Sequence, residues 1–123
     1  MNVLVIDDSK TMRDIIKSVL TQIGCERVEE ASDGKDALRT LADFAPELVL
    51  VDLNMPNMDG LEFVKAYRQI SLTTPMIMVT TDSGQAQVVE AIKAGVDDYI
   101  VKPFTPALLA HRVREAMKKS KAA

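Results

Sequence analysis

The chain has 123 residues, the size of one ordinary domain, and its formal net charge of −3 gives no sign of nucleic-acid binding. Hydrophobic residues make up 47% of the chain and aromatic residues only 4%, so we expect a core of aliphatic side chains and methionine. No stretch approaches the ~20 apolar residues that span a bilayer, and the single cysteine, Cys25, excludes an intramolecular disulfide. These features predict a cytoplasmic protein without membrane insertion, in which Cys25 is a buried, inert side chain.

Strand-like and helix-like patterns alternate along the chain, which predicts five βα units. Short apolar runs indicate the strands, and apolar residues recurring every three or four positions indicate the helices. In chain order we predict a strand at 2–7, a helix at 9–24, a strand at 26–31, a helix at 34–44, a strand at 47–52, a helix at 59–69, a strand at 75–80, a helix at 84–94, a strand at 97–102 and a helix at 105–119.

Residues near the helix ends support these boundaries. Asp33 is expected to cap the second helix, and Asp59 with Glu62 resembles a capping box at the start of the third. Thr105 followed by Pro106 is a strong signal for the start of the last helix. The first helix is expected to bury one apolar face, made of Met12, Ile15, Ile16, Val19, Leu20 and Ile23.

Alternating strands and helices predict an α/β domain with a parallel sheet. Segments 47–52 and 75–80 are almost wholly apolar, as central strands buried on both faces should be. Segment 26–31 is more polar, and segment 97–102 begins with two acids, so both are predicted to be edge strands. Right-handed crossovers then favour the strand order 2-1-3-4-5, with helices on both faces.

Polar side chains stand at the ends of four of the apolar runs. Asp7 and Asp8 follow the first strand, Asp52 the third, Thr80 the fourth and Lys102 the fifth. Ligands of such sheets bind at the carboxyl ends of the strands, where the strand order reverses. That point lies between strands 1 and 3, so the sequence predicts one assembled site there.

Together these residues resemble the receiver domain of response regulators, over essentially the whole chain. The motifs are Asp7-Asp8, Asp52 with Met55-Pro56 and Met58-Asp59-Gly60, Thr80, and Lys102-Pro103-Phe104. Residues 7–13, Asn54 and Tyr99 are most similar to stand-alone chemotaxis members of that family. The resemblance implies a flavodoxin-like (βα)5 fold with the same strand order. It also implies a single receiver domain over 1–123, without an output domain.

The resemblance assigns the phosphoacceptor role to Asp52. The expected donor is a phosphohistidine on a sensor histidine kinase or a histidine phosphotransfer protein. Neighbouring carboxylates repel one another, and a hard divalent cation offsets that repulsion. The implied cation is Mg²⁺, held by Asp7, Asp8, Asp52 and the backbone carbonyl of Asn54. The chain would catalyse only its own phosphorylation and dephosphorylation, and would not be an enzyme for other substrates.

The resemblance also implies a conformational switch. Thr80 and Lys102 would each bind the phosphoryl oxygens, at roughly 1.5–3 kcal/mol per charge-assisted hydrogen bond. Two such contacts approach the roughly 5.5 kcal/mol that takes a switch from 1:99 to 99:1. Movement of Thr80 would let Tyr99 rotate, changing the surface of helix 4, strand 5 and helix 5. A monomer would then bind a downstream target, such as a flagellar motor protein. The peptide bond between Lys102 and Pro103 is expected to be cis.

Two positions depart from the family pattern. Thr81 stands where receivers usually have Ala or Gly, and its bulk would hinder phosphodonors or the hydrolytic water. Asp82 stands where related proteins often have Glu. Asn54 and Asp82 resemble the amide–acid pairing associated with fast self-dephosphorylation, which Thr81 would also affect. Asp82 is equally compatible with a role as the N-cap of helix 84–94.

Other functions are also compatible with part of the pattern. A phosphorelay intermediate, passing phosphate to a histidine phosphotransfer protein, would have the same site. A Mg²⁺-dependent aspartyl-nucleophile phosphatase is less favoured, because its DxD motif differs from the adjacent pair Asp7-Asp8. A scaffold that binds partners without phosphate would not need the complete set of acids, threonine and lysine. The only histidine, His111, is expected to lie on the surface.

Overall fold

The computed structural model of the protein describes residues 1–122 and the side chains of residues 1–119. Five strands and five helices alternate, as the sequence predicts. The strands are β1 (Asn2–Ile6), β2 (Arg27–Ala31), β3 (Leu48–Val51), β4 (Met76–Thr80) and β5 (Asp98–Val101). The helices are α1 (Lys10–Gln22), α2 (Gly34–Thr40), α3 (Gly60–Arg68), α4 (Gln85–Ala94) and α5 (Pro106–Ala122). No helix in the described range is long and apolar enough to cross a membrane.

All strands are parallel and lie in the order β2-β1-β3-β4-β5, which confirms the predicted topology. In register, Ile6 of β1 pairs with Val51 of β3, so both strands end at the same level. Thr80 of β4 pairs with Val101 of β5 at that same edge. The residues that directly follow β1, β3 and β5 are therefore brought to one edge of the sheet.

The sheet separates two apolar clusters. One face packs against α1 and α5 through residues such as Leu20 and Val113. The other face packs against α2, α3 and α4 through residues such as Phe63 and Ala91. Every residue of β3 is buried, because helices cover this strand on both faces.

Most of the predicted helix starts are present. The Asp33 carboxylate accepts a hydrogen bond from Asp36 N at the start of α2, and Asp59 with Glu62 forms a complete capping box at α3. Thr105 Oγ1 accepts a hydrogen bond from Leu108 N, 3.1 Å away, at the start of α5. These side chains satisfy amide groups that have no partner within their own helix.

Four details differ from the sequence predictions. Helix α2 ends at Thr40 instead of residue 44, because residues 41–43 continue as turns in which Ala42 N and Asp43 N donate to the carbonyl oxygen three residues back. Helix α5 extends to Ala122, beyond the predicted end at 119. Ile15 is 43% exposed and lies on a groove between α1 and Pro106, since only part of the apolar stripe of α1 faces the sheet. The N-cap of α4 is Gly84, not Asp82.

Arg68 connects several elements at the edge of the sheet where β4 and β5 begin. Its Nε and Nη2 atoms both donate to the carbonyl oxygen of Gly95, at 3.0 and 2.8 Å. Nη2 also lies 3.2 Å from Asp97 Oδ2, which in turn accepts a hydrogen bond from Met76 N at 2.9 Å. The Arg68 guanidinium group thus joins α3 to the segment between α4 and β5. Through Asp97 this segment also contacts the start of β4, at the edge of the sheet opposite the acidic residues.

Candidate functional site

Three acids meet at the carboxyl ends of β1 and β3. Asp7 and Asp8 follow β1 and Asp52 follows β3, and the two strands are hydrogen-bonded neighbours. Each acid offers one carboxylate oxygen, and these three oxygens lie within 4.8 Å of one another. Asp7 and Asp52 are buried whereas Asp8 is exposed, so the cluster opens to solvent on one side.

Lys102 reaches this cluster from the end of β5. Its Nζ atom lies 2.7 Å from Asp7 Oδ2 and 3.3 Å from Asp52 Oδ2. One ammonium group therefore compensates part of the repulsion between two buried carboxylates. The peptide bond between Lys102 and Pro103 is cis, the isomer implied by the resemblance.

Both the side chain and the backbone of Asp7 are hydrogen-bonded to residues at the start of α1. Ser9 N donates to Asp7 Oδ1 at 2.9 Å, and Arg13 Nη1 donates to the backbone carbonyl oxygen of Asp7 at 2.7 Å. Arg13 also pairs with Glu30 of β2 at 3.1 Å. Asp7 is thus fixed in position by contacts with α1, while its second carboxylate oxygen faces Lys102. The sequence reading did not identify Arg13 as a positioning residue.

The environment of Asp52 raises the pKa of its carboxyl group above the usual aspartate value. Burial raises the pKa of the Asp52 carboxyl group, and the negative charge of Asp7 raises it further. The positive charge of Lys102 and the hydroxyl group of Thr80 lower the pKa, but they do not cancel the effect of burial. A cation added beside Asp52 would therefore act on a carboxylate that lacks full compensation in the metal-free protein.

Thr80 and Tyr99 link the acidic cluster to the loop between β4 and α4. Thr80 is fully buried, and its Oγ1 accepts a hydrogen bond from Asp82 N at 3.3 Å. The hydroxyl group of Tyr99 donates to the carbonyl oxygen of Asp82 at 2.7 Å. Asp82 is therefore contacted by Thr80 through its amide and by Tyr99 through its carbonyl group. Thr80 of β4 and Tyr99 of β5 thus both hold the first part of this loop.

Three further predicted site residues are Asn54, Thr81 and Asp82. Asn54 and Thr81 are both exposed, in the loops that follow β3 and β4. The Asp82 carboxylate accepts a hydrogen bond from Gly84 N at 3.0 Å, so it supports the turn before α4 without capping the helix. Away from the site, His111 is exposed as predicted. Cys25 is buried, and burial raises the pKa of its thiol, which fits an inert side chain.

The donor set fits a hard divalent cation. It consists of carboxylate oxygens only, it is open to solvent on one side, and it includes no soft ligand. Mg²⁺ prefers oxygen ligands and keeps several of its water molecules, which an open site of this kind permits. The acidic group of Asp7, Asp8 and Asp52 could therefore hold a metal ion.

Comparison with known proteins places this geometry in context. Residues 3–114 match the family described as the response regulator receiver domain. The chain is 47% identical over 116 residues to the chemotaxis protein CheY1 of Helicobacter pylori, covering 92% of this chain and 94% of that one. It is 48% identical over 120 residues to a chemotaxis protein CheY homolog of Campylobacter jejuni, covering 95% and 92% of the two chains.

A solved structure shows the same architecture. The chemotaxis response regulator CheY4 of Vibrio cholerae superposes with a TM-score of 0.86 at 34% sequence identity. The alignment covers 94% of this chain and 97% of that one.

Proposed function

Because the chain belongs to the response regulator receiver domain family, we propose that it accepts a phosphoryl group on Asp52 and signals by binding another protein. The contact of Lys102 with both Asp7 and Asp52 is the observation that carries this proposal. It places a cation at the carboxylate that would receive the phosphoryl group. Phosphoryl transfer depends mainly on such positioning and charge compensation.

The proposed reaction forms an acyl phosphate on the chain itself. A carboxylate oxygen of Asp52 attacks the phosphorus atom of a phosphohistidine on a sensor histidine kinase or a histidine phosphotransfer protein. The P–N bond breaks, and the imidazole leaves with the nitrogen electron pair. Lys102 stabilises the charge on the transferred oxygens, and the Thr80 hydroxyl group donates a hydrogen bond to one of them. Hydrolysis later returns Asp52 to the carboxylate and releases inorganic phosphate.

We assign a Mg²⁺ site to Asp7, Asp8, Asp52 and the backbone carbonyl group of Asn54. When bound, Mg²⁺ would supply positive charge that the transferring phosphoryl oxygens require. The chain's own contribution is to hold the acids in place, through Ser9 and Arg13 for Asp7 and through the β3–α3 loop for Asn54. The raised pKa of Asp52 means that a neighbouring cation would also favour its reactive, ionised form.

The output surface proposed for the protein comprises α4, β5 and α5. Exposed apolar side chains occur on all three elements, with Ile92 at 49%, Val101 at 38% and Leu108 at 38% exposure. Tyr99 lies on β5 and is hydrogen-bonded to the carbonyl group of Asp82. Phosphorylation would draw Thr80 toward Asp52, shift the loop and change this surface. A chemotaxis partner such as a flagellar motor protein is favoured by the identity of the relatives.

Thr81 and Asp82 are proposed to set the lifetime of the acyl phosphate. Thr81 is exposed and directly follows Thr80, so its side chain can limit the access of water. The carboxylate of Asp82 is engaged with Gly84 N, which restrains it from turning toward a hydrolytic water together with Asn54. Thr81→Ala is therefore expected to shorten the lifetime, and Asp82→Ala to have a smaller effect.

Acetyl phosphate with Mg²⁺ tests the phosphoacceptor directly. Wild type should gain one phosphoryl group, detected by intact-protein mass spectrometry, whereas D52N should gain none. A pull-down with Mg²⁺ and BeF₃⁻, a mimic of the phosphoryl group, should then recover a partner that the untreated protein does not bind. Equal labelling of D52N and wild type would contradict the mechanism. A partner that binds both forms equally would contradict the switch.

A further inference from the structure

The loop from Asp52 to Gly60 carries both the phosphoacceptor and the proposed carbonyl ligand of Asn54. Its far end is fixed by Gly60, whose amide donates to Leu53 O at 2.8 Å. A Cβ atom on Gly60 would lie only 2.1 Å from the carbonyl oxygen of Asp52, so the two backbones touch. Between these points Asn54, Pro56 and Asn57 are exposed, and the loop has a second attachment outside the sheet.

That attachment is the start of α2. Asn57 Nδ2 donates to Asp33 Oδ2 at 2.7 Å, across 24 residues of sequence. Gly34 N donates to the carbonyl oxygen of Met58 at 3.2 Å, one residue further along the loop. The missing side chain of Gly34 makes room for Met58, since a Cβ atom there would lie 2.6 Å from Met58 Cγ. Side chains and backbone therefore fasten the loop to α2 at adjacent positions.

Asn57 has the only positive φ, 67°, of a non-glycine residue in the described part of the chain. Its conformation allows Met58 N to donate to Pro56 O at 2.7 Å, which closes a tight three-residue turn. Asparagine tolerates this conformation better than most residues do. The turn directs the Asn57 amide toward Asp33, whose other carboxylate oxygen caps α2 through Asp36 N at 2.8 Å.

We infer that Asp33 and Asn57 form a latch that positions the β3–α3 loop, and with it the Asn54 carbonyl group, for cation binding. The inference rests on the metal site proposed above. Neither latch residue touches the acidic cluster, so both are positioning residues. Without the latch, the free loop would sample more conformations, and ordering it would reduce the free energy gained on binding Mg²⁺.

An exchange of the two residues separates the latch from simple charge effects. In D33N the cap at α2 is preserved, because Asn is a good N-cap. The bond across the latch becomes a weaker, neutral one, since Asn57 must turn its side-chain amide to present Oδ1 to the new amide. In N57D two carboxylates face each other. The double variant D33N/N57D restores one donor and one acceptor, in reversed order and with the wild-type net charge. Asp also tolerates the positive φ at position 57.

The affinity for Mg²⁺, measured by isothermal titration calorimetry, should fall in both single variants and return in the double variant. We expect a loss of roughly three- to tenfold, less than the roughly 10- to 100-fold seen when a group bonded directly to a metal ligand is replaced. Amide hydrogen exchange of residues 53–58 in the metal-free single variants should be faster than in wild type. R68A, which loosens the opposite end of the domain, is the control for general destabilisation and should keep the wild-type affinity.

Each alternative gives a different result. If only charge matters, D33N will bind Mg²⁺ more weakly, N57D more tightly and the double variant like wild type. Tighter binding by N57D would therefore overturn the latch. Wild-type affinity in all variants would overturn it as well. If wild type binds no Mg²⁺, or D52N binds it equally well, the proposed metal site itself fails, and the inference fails with it.

Discussion

Lys102 Nζ lies closer to Asp7, at 2.7 Å, than to the proposed phosphoacceptor Asp52, at 3.3 Å. The side chains of all three residues are at most 10% exposed. Lys102 thus serves as a counter-charge within the acidic cluster and is held mainly by Asp7. Its remaining hydrogen-bonding capacity is directed at the carboxylate where the phosphoryl group would arrive.

K102M should destabilise the metal-free protein. Removing one partner of a buried ion pair typically costs about 3–5 kcal/mol, and we expect roughly 2–3 kcal/mol here because the cluster opens to water beside Asp8. Mg²⁺ at 100 times its dissociation constant stabilises either protein by about 2.7 kcal/mol, so K102M with Mg²⁺ should be about as stable as wild type without it. Urea unfolding with and without Mg²⁺ measures both effects.

K65M, which removes an exposed lysine of α3, is the matched control and should change neither value. If K102M in the absence of metal were as stable as wild type, Lys102 would not be the counter-charge of the cluster.

D52N should make the metal-free protein more stable at neutral pH. The pKa of Asp52 is raised in the folded state, mainly by burial, so the folded protein holds this proton more tightly than the unfolded chain does. The stability contributed by the protonated group is present below the usual aspartate pKa of about 3.9 and is lost as the pH rises through the raised value. The stability advantage of D52N should therefore be small near pH 4 and grow toward pH 7.

Urea unfolding of metal-free protein across that range tests the sign, and carboxyl NMR gives the pKa of Asp52 directly. D43N removes an exposed acid and is the control. A carboxyl group at position 52 that titrates below its usual range would contradict the prediction.

Much of this architecture could be predicted because its determinants are local. Apolar runs identify the strands, and the polar residue that follows each run identifies the site, since parallel strands end at one edge. Asp7, Asp8, Asp52 and Lys102 come together for that reason alone. The family resemblance added proposed roles to these residues, including those of Thr80 and Tyr99.

What could not be predicted depends on distant or conformational relations. The hydrogen bond between Asp33 and Asn57 joins residues 24 positions apart and requires a positive φ that asparagine permits but does not dictate. The sequence does not distinguish Arg68 from an ordinary surface residue of α3, because its acceptor is the backbone carbonyl oxygen of Gly95, which directly follows α4. Ile15 fits the periodicity of a buried face, yet it is 43% exposed on the groove between α1 and Pro106.

Y99F should loosen the loop between β4 and α4. The lost hydrogen bond to the carbonyl oxygen of Asp82 is expected to cost about 0.5–1.5 kcal/mol in stability. Amide hydrogen exchange of residues 81–84 should rise, because Tyr99 ties this loop to β5.

Y67F is the matched control for Y99F, since the Tyr67 hydroxyl donates to Thr74 Oγ1 at 2.9 Å, in another loop. It should cost a similar amount of stability without changing the exchange of residues 81–84. Equal exchange in Y99F and wild type would show that Thr80 alone holds the loop.

Alanine substitutions at Gly60 and Gly24 can separate a general loss of stability from damage to the proposed metal site. In G60A the added Cβ atom would meet the Asp52 carbonyl oxygen at 2.1 Å, and a backbone atom cannot move aside as a flexible side chain can. Overpacking of this kind costs about 1–3 kcal/mol, and here it displaces the loop that carries the proposed metal ligands. G24A meets no atom within 4 Å, but Gly24 has a φ of +93°, so the backbone is strained by a similar amount, about 1–3 kcal/mol.

Both variants should therefore lose comparable stability in urea unfolding, whereas only G60A should bind Mg²⁺ more weakly and accept phosphate more slowly from acetyl phosphate. Gly24 follows α1 at the opposite end of that helix from the acids, so its strain has no direct path to Asp52. If G24A lost Mg²⁺ affinity as strongly as G60A does, the site would depend on overall stability and not on the close contact between Gly60 and Asp52. Wild-type affinity in G60A would show that the loop can shift without disturbing the acids.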